Sequence, residues 1–206
     1  MFPDLLRDDV FRLETPRLWL RWPRASDAAL IGELAGDEDV ARMTAAIPHP
    51  YPPGAAADFV LQVRAANLAG TELTLVMTAK NRPGEPIGAI TLTPAGEDSA
   101  VLGYWVGKRH WGQGFATEAV RALLDLVFRI TDLETVRASV MPANLPSRAV
   151  LQANGFAYCG SGLVPAPARG GPQFVERLEV TRERFLAGAF NGAAMRPDAP
   201  ALMQSA

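Results

Sequence analysis

The stretch Gly103-Tyr-Trp-Val-Gly-Lys-Arg-His-Trp-Gly-Gln-Gly-Phe-Ala-Thr-Glu118 decides the fold, because a strand, a loop and a helix start meet in it. Residues 100–106 are a short apolar run rich in β-formers, so they read as a strand. Gly112 and Gly114 then break the pattern. Beyond Gly114, Ala116, Val120, Leu123, Val127 and Ile130 recur at spacings of three and four, with Glu118, Arg121, Asp125 and Arg129 between them. That is an amphipathic helix. The first amides of a helix have no partner inside it and carry the positive end of its dipole. Glycines let the backbone approach an anion with no side chain in between, so this junction suits a phosphate or pyrophosphate. Arg109, three residues before Gly112, adds a cation. A bare Gly-x-Gly serves equally as a plain turn, and context decides. A dinucleotide fingerprint needs a third glycine where Thr117 stands, and a P-loop needs Gly-Lys-Ser/Thr where Gly114 is followed by Phe115.

Working outward, residues 17–21 alternate and read as a first strand stopped by Pro23. Ser26 and Asp27 are placed to cap a helix through Leu30, Ile31 and Leu34, and residues 37–43 suit a second short helix. Four prolines make residues 47–54 a loop. Ala56, Phe59, Val60 and Val63 then follow helical spacing. Residues 73–78, 87–93 and 100–106 form three strands joined by short turns, an antiparallel meander. After the long helix come a strand at 135–141, a short helix at 147–154 ended by Gly155, and a hairpin of residues 156–164 and 173–180. A strand-helix-strand step inside a mostly antiparallel sheet is a mixed α/β (α+β) layer fold. Residues 1–187 read as one domain, and residues 188–206 lack periodicity and read as a flexible C-terminal tail.

Composition narrows the functional classes. The 206 residues are 49% hydrophobic and 20% charged, with a formal net charge of -2. Such a balance argues against a broad nucleic-acid or anionic-membrane surface. One cysteine, Cys159, excludes an internal disulfide and fits a reducing compartment. The opening residues resemble no secretory signal, and no stretch approaches the roughly 18 apolar residues of a spanning helix. A cytoplasmic protein, with no nucleic-acid or membrane partner, is the expectation. A homodimer is compatible with it.

At this point the chain resembles a known family. Arg109-x-x-Gly112-x-Gly114 resembles the coenzyme A pyrophosphate signature of the GNAT N-acetyltransferases. Trp111-Gly-Gln-Gly-Phe-Ala-Thr-Glu-Ala119 looks like the version found in the RimJ/RimL type, the ribosomal-protein N-terminal acetyltransferases. Residues 13–21 are similar to that type's opening strand, Gly103-Tyr-Trp-Val106 to the strand before the loop, and Asn144-Leu-Pro-Ser147 with Val150, Leu151, Gly155 and Phe156 to its second block. The resemblance implies a GNAT fold: a sheet of about six to seven strands flanked by helices and splayed at its two central strands. It implies acetyl-CoA as cosubstrate, no metal, and a primary amine as acceptor, foremost a protein N-terminal α-amine. By the same resemblance, Arg109, His110, Trp111, Gly112, Gln113, Gly114, Phe115 and Ala116 hold the pyrophosphate. Tyr104, Trp105 and Val106 pair with pantetheine, and the Val106 amide polarises the thioester carbonyl. Asn144 bonds the pantetheine arm or a water, and Ser147 protonates the leaving thiolate. His49 and Tyr51 lie in the loop that resembles the acceptor-side loop.

Two departures stand out. Val101 occupies the position where many relatives carry a glutamate base, and Leu151 the position of a tyrosine acid, with Tyr158 on the following strand. Cys159 has no partnering histidine signature and reads as a packed residue. His49 and His110 lack metal-ligand spacing. Trp19, Trp22, Trp105 and Trp111 read as core or partner surface rather than base-stacking platforms. Three alternatives stay open: a small-molecule amine acceptor such as a metabolite or antibiotic, a module that binds CoA without catalysis, and a different nucleotide binder using the same loop.

Overall fold

A computed structural model describes residues 2–188. The first strands are β1 (Arg12–Glu14) and β2 (Leu18–Arg21), followed by α1 (Ala28–Ala35), α2 (Glu38–Ala41) and α3 (Ala55–Ala69). The meander is β3 (Leu73–Ala79), β4 (Pro86–Pro94) and β5 (Ser99–Val106). Then come α4 (Phe115–Ile130), β6 (Thr135–Val140), α5 (Leu145–Ala153), β7 (Ala157–Val164), β8 (Gln173–Thr181) and α6 (Arg182–Leu186). The described strands form one sheet in the order β1-β2-β3-β4-β5-β6-β8-β7. Every neighbouring pair is antiparallel except β5–β6. The parallel pair is the place where α4 crosses from one strand to the next, as a parallel connection requires.

Helices cover both faces. The apolar stripe of α4 (Ala119, Val120, Leu123, Leu124, Val127, Phe128) packs with Leu18, Leu20, Leu75, Ile90, Leu102 and Val136 into the main core. On the other face Ile31 of α1 and Ala56 and Val60 of α3 pack on Val76 and Ala89. These are the faces that alternation assigns, since neighbouring strand residues point to opposite sides.

Eight strands replace the expected six to seven, because the opening stretch is a hairpin rather than one strand. The Thr15 hydroxyl accepts from the Leu18 amide (2.8 Å) and the Leu18 carbonyl accepts from the Thr15 amide (3.0 Å), closing a turn at Pro16. Asp27 does not cap α1 with its side chain. Its carboxylate is drawn instead to the buried Arg21 guanidinium (2.7 and 2.9 Å) and the Arg24 amide (2.7 Å). Asp37 does cap α2, accepting from the Asp39 amide. The expected tail lies outside the described residues apart from Gly188. Among the described residues no helix is long and apolar enough to cross a membrane.

Candidate active site

The site begins where the β5–β6 ladder stops. Parallel pairing runs from Ser99↔Thr135 to Leu102↔Ala138 and ends there. Beyond it β5 stays paired with β4 as far as Val106, while β6 stays paired with β8 as far as Val140. The two central strands therefore part, as the sequence led one to expect, and the inner edge of residues 103–106 faces a gap. The Gly107 amide donates to Ile87 of β4 (2.9 Å). By the alternation of a ladder, the Tyr104 and Val106 amides point the other way, into the gap. The Val106 carbonyl is already taken by the Trp111 indole N–H at 2.6 Å.

The loop after β5 is the stretch that the sequence assigned to a pyrophosphate, and its backbone is open. Lys108–His110 makes one 3-10 turn, and Gly112 (φ 72°) and Gly114 (φ 76°) turn the chain into α4. Both glycines are left-handed, a conformation that other residues adopt only at a cost of roughly 1–2 kcal/mol. A Cβ on Gly112 would meet nothing within 4 Å, so the surface over it is open. The amides that open α4 emerge there without helical partners. Arg109 is turned aside, paired with Glu33 of α1 (2.7 Å) and beside His110 (3.2 Å). Burial, helped by Arg109, lowers the His110 pKa, so this ring stays neutral near pH 7. The cation that reaches the helix start is Arg17. It donates to the Gln113 carbonyl (2.7 Å), lies 4.8 Å from the Phe115 ring centre, and is held by Glu118 at 2.6 Å. Glu118 also accepts from the Thr15 hydroxyl (2.6 Å) and the Arg17 amide (2.8 Å), bolting the β1–β2 turn to α4. Sequence reasoning missed Arg17 and placed Glu118 on the outer face of the helix. Their contacts span about a hundred residues of chain, beyond the reach of local pattern. A cleft of about 680 Å³, lined by Arg82, Glu85, Arg109, His110, Gln113 and Phe115, adjoins this loop on the β3–β4 side.

At the other side of the gap, Asn144 is the N-cap of α5. Its Oδ1 accepts from the Ser147 amide (3.1 Å), and its Nδ2 donates to the Met43 carbonyl (3.4 Å). Ser147 Oγ lies 2.8 Å from the Tyr104 hydroxyl, which also reaches the Ser147 carbonyl at 3.1 Å. Tyr104 thus crosses from β5 to α5. Burial pushes its pKa up to about 12, against a smaller opposing effect of the Ser147 bond. Leu151 is core, 1% exposed, and Tyr158 is 64% exposed on the edge strand β7. The phenol in this site comes from Tyr104.

Trp105 faces the other way and packs beside Ile31 and Val60. Tyr51 packs in that same cluster, and burial raises its pKa. His49 is exposed, with Nδ1 3.1 Å from the Gly36 carbonyl, and precedes a cis proline, Pro50. The segment before this loop reaches Asn144 through the Met43 carbonyl, and the Ile47 carbonyl accepts from Arg169 between β7 and β8. Asp39 of α2 is bridged to Lys108, just past β5, at 2.6 Å. That hydrogen bond holds its carboxyl below the usual range.

The glycine junction at the head of α4 opens onto the splayed strand edge between β5 and β6. The chain belongs to the GNAT acetyltransferase family: residues 17–157 match the profile described as Acetyltransferase (GNAT) domain. It is 30% identical over 146 residues to the uncharacterized N-acetyltransferase p20 of Bacillus licheniformis, covering 70% of this chain and 81% of that one. Its fold is similar to that of Mycobacterium smegmatis RimJ in complex with CoA-disulfide, at TM-score 0.68 and 26% identity over 87% of this chain and 93% of that one. It is also similar to the fold of Vibrio cholerae spermidine N-acetyltransferase in complex with CoA and spermine, at TM-score 0.69 and 20% identity over 82% and 98%.

Proposed function

We propose that this acetyltransferase takes acetyl from acetyl-CoA laid along the β5–β6 gap and passes it to a protein N-terminal α-amine. The observation that carries the reading is the Tyr104–Ser147 contact across that gap, beside an inward-pointing Val106 amide. The amides from Arg109 to Ala116, with Arg17, hold the pyrophosphate. The Tyr104 and Val106 edge pairs with pantetheine. The neutral amine attacks the thioester carbonyl carbon. The Val106 amide stabilises the charge that grows on the carbonyl oxygen. As the C–S bond breaks, Ser147 gives its proton to the sulfur and is replenished from Tyr104, which regains a proton from water. The ammonium proton leaves to water. Asn144 fixes Ser147 by capping α5 and ties the segment before the acceptor-side loop to it at Met43. His49 and Tyr51 shape the wall of that loop on the acceptor side.

The test is initial rate with acetyl-CoA against a panel: peptides with a free N-terminus, peptides with one internal lysine, and a polyamine. The N-terminal peptide is expected to be fastest. A faster polyamine moves the acceptor to small molecules. CoA binding with no turnover on any amine would favour the non-catalytic module.

A further inference from the structure

A second cleft, of about 400 Å³, lies on the α1–α3 side of the sheet and shares no lining residue with the first, though both touch the β3–β4 turn; it is lined by Arg12, Trp19, Arg21, Arg24, Thr78 and the turn residues Pro83 and Gly84. Its charge is unusual. Arg12 and Arg21 stand directly opposite each other in the β1–β2 register, so their side chains share one face. Like charges opposed in this way are destabilising. Arg21 is 4% exposed and is neutralised by Asp27, yet its Nε is buried without a hydrogen-bond partner. Arg12 and Arg24 are exposed and have no carboxylate partner among the described residues. The other charges on this face, Glu14 and Lys80, pair with each other at 2.5 Å, with Lys80 Nζ 5.3 Å from the Trp19 ring centre. The cleft therefore keeps two unneutralised guanidinium groups around a third that has an unused donor, and a half-buried indole forms its wall.

We propose that this cleft is an anion site for a phosphate group. Guanidinium forks match phosphate oxygens in geometry and charge. An anion between Arg12 and Arg24 pairs with both exposed guanidinium groups and offsets the positive charge that Arg12 places opposite the Arg21–Asp27 pair. The volume exceeds that of a lone phosphate and falls within the range of small-molecule sites. It leaves room for a ring carried by the phosphate to lie against Trp19.

The test is calorimetric titration of the CoA-saturated protein, so that the glycine junction at α4 is blocked, with inorganic phosphate and with a nucleoside monophosphate at constant ionic strength. Saturable binding of phosphate is expected, and Arg12→Gln/Arg24→Gln should weaken it about tenfold or more. Tighter binding of the nucleotide assigns the site to a phosphate ester that stacks on Trp19, and equal binding assigns it to phosphate itself. In melting curves without phosphate the double variant should match or exceed the wild type, and phosphate should raise the melting temperature of the wild type alone. No saturable binding to the wild type, or equal affinity in the double variant, would overturn the proposal.

Discussion

Tyr104 shows how one side chain can carry two duties. It fills the space between β5 and α5, and its hydroxyl ends on Ser147 Oγ at 2.8 Å. With a pKa of about 12 the phenol stays protonated across the physiological range and can only lend a proton. Tyr104→Phe keeps the packing and removes that donor. A fall in kcat of about tenfold, with a smaller change in the KM for acetyl-CoA, is expected of a residue standing behind the primary acid. Steady-state kinetics on the variant check this, and a KM effect larger than the kcat effect would reduce Tyr104 to packing. Ser147→Ala separates the chemistry from the helix cap. The cap is Asn144, whose Oδ1 takes the Ser147 amide. Ser147→Ala should therefore leave the melting temperature nearly unchanged while lowering kcat by about tenfold or more. Asn144→Ala should cost about 1 kcal/mol of stability. Thermal melts beside rates distinguish the two. The three-residue spacing of Asn144 and Ser147 was legible in the sequence because it lies within one helical turn. The approach of Tyr104 was not, since it joins residues 43 apart and depends on where the sheet splays.

The junction between the β1–β2 turn and α4 shows what periodicity reads and what it omits. The helical spacing located α4, and Val120, Leu123 and Val127 of its expected stripe are fully buried, whereas Ala116 is only partly buried and Ile130, at the last turn, is exposed. Glu118, assigned to the solvent side, has a side chain only 14% exposed because the hairpin docks on it. A helical period assigns a residue to a face without revealing what covers that face. Glu118→Ala removes three hydrogen bonds to one carboxylate and frees Arg17 from its place over Phe115. A stability loss of about 2 kcal/mol is expected in denaturant unfolding, with weaker acetyl-CoA binding because Arg17 no longer holds the helix start. The glycine junction behaves differently. A Cβ on Gly114 would point at Arg17 Nη2, 3.4 Å away, rather than into the open surface over Gly112. Gly114→Val should still weaken acetyl-CoA binding strongly, through left-handed strain and displacement of Arg17. Unchanged affinity by calorimetry would remove this junction from the site.

The whole sheet is two wings hinged at the short β5–β6 ladder, and this shape bears on the acceptor. In the proposed reading donor and amine meet where the wings part, so any base must also be there. Glu97 and Asp98 belong to the turn before β5, and its eight residues at about 3.3 Å each put them more than 20 Å from Val106. Val101 supplies no carboxylate, and Asp39 is held ionised by Lys108, which makes it a weak proton acceptor. The sequence exposed the missing glutamate. Only the fold shows that Glu97 and Asp98 are too far away and that Asp39 is already paired with Lys108. An amine must be neutral to attack. For a lysine side chain, with a pKa near 10.4, neutrality at pH 7 costs about 3.4 units, or roughly 4.6 kcal/mol. For an α-amine, at about 7.7–8.0, the cost is only about 1 to 1.4 kcal/mol. A site without a strong base can meet the second cost through water, and meets the first poorly. The expected outcome is a preference for α-amines or other amines of low pKa. The rate should rise with pH toward the acceptor's own pKa, because the neutral fraction grows until that point, with no separate carboxylate step at lower pH. The measurement is kcat/KM against pH for matched peptides bearing either a free N-terminus or one internal lysine. Faster acetylation of the lysine peptide near pH 7 would sink the idea, and would mean that acceptor binding brings a carboxylate into the gap between the wings.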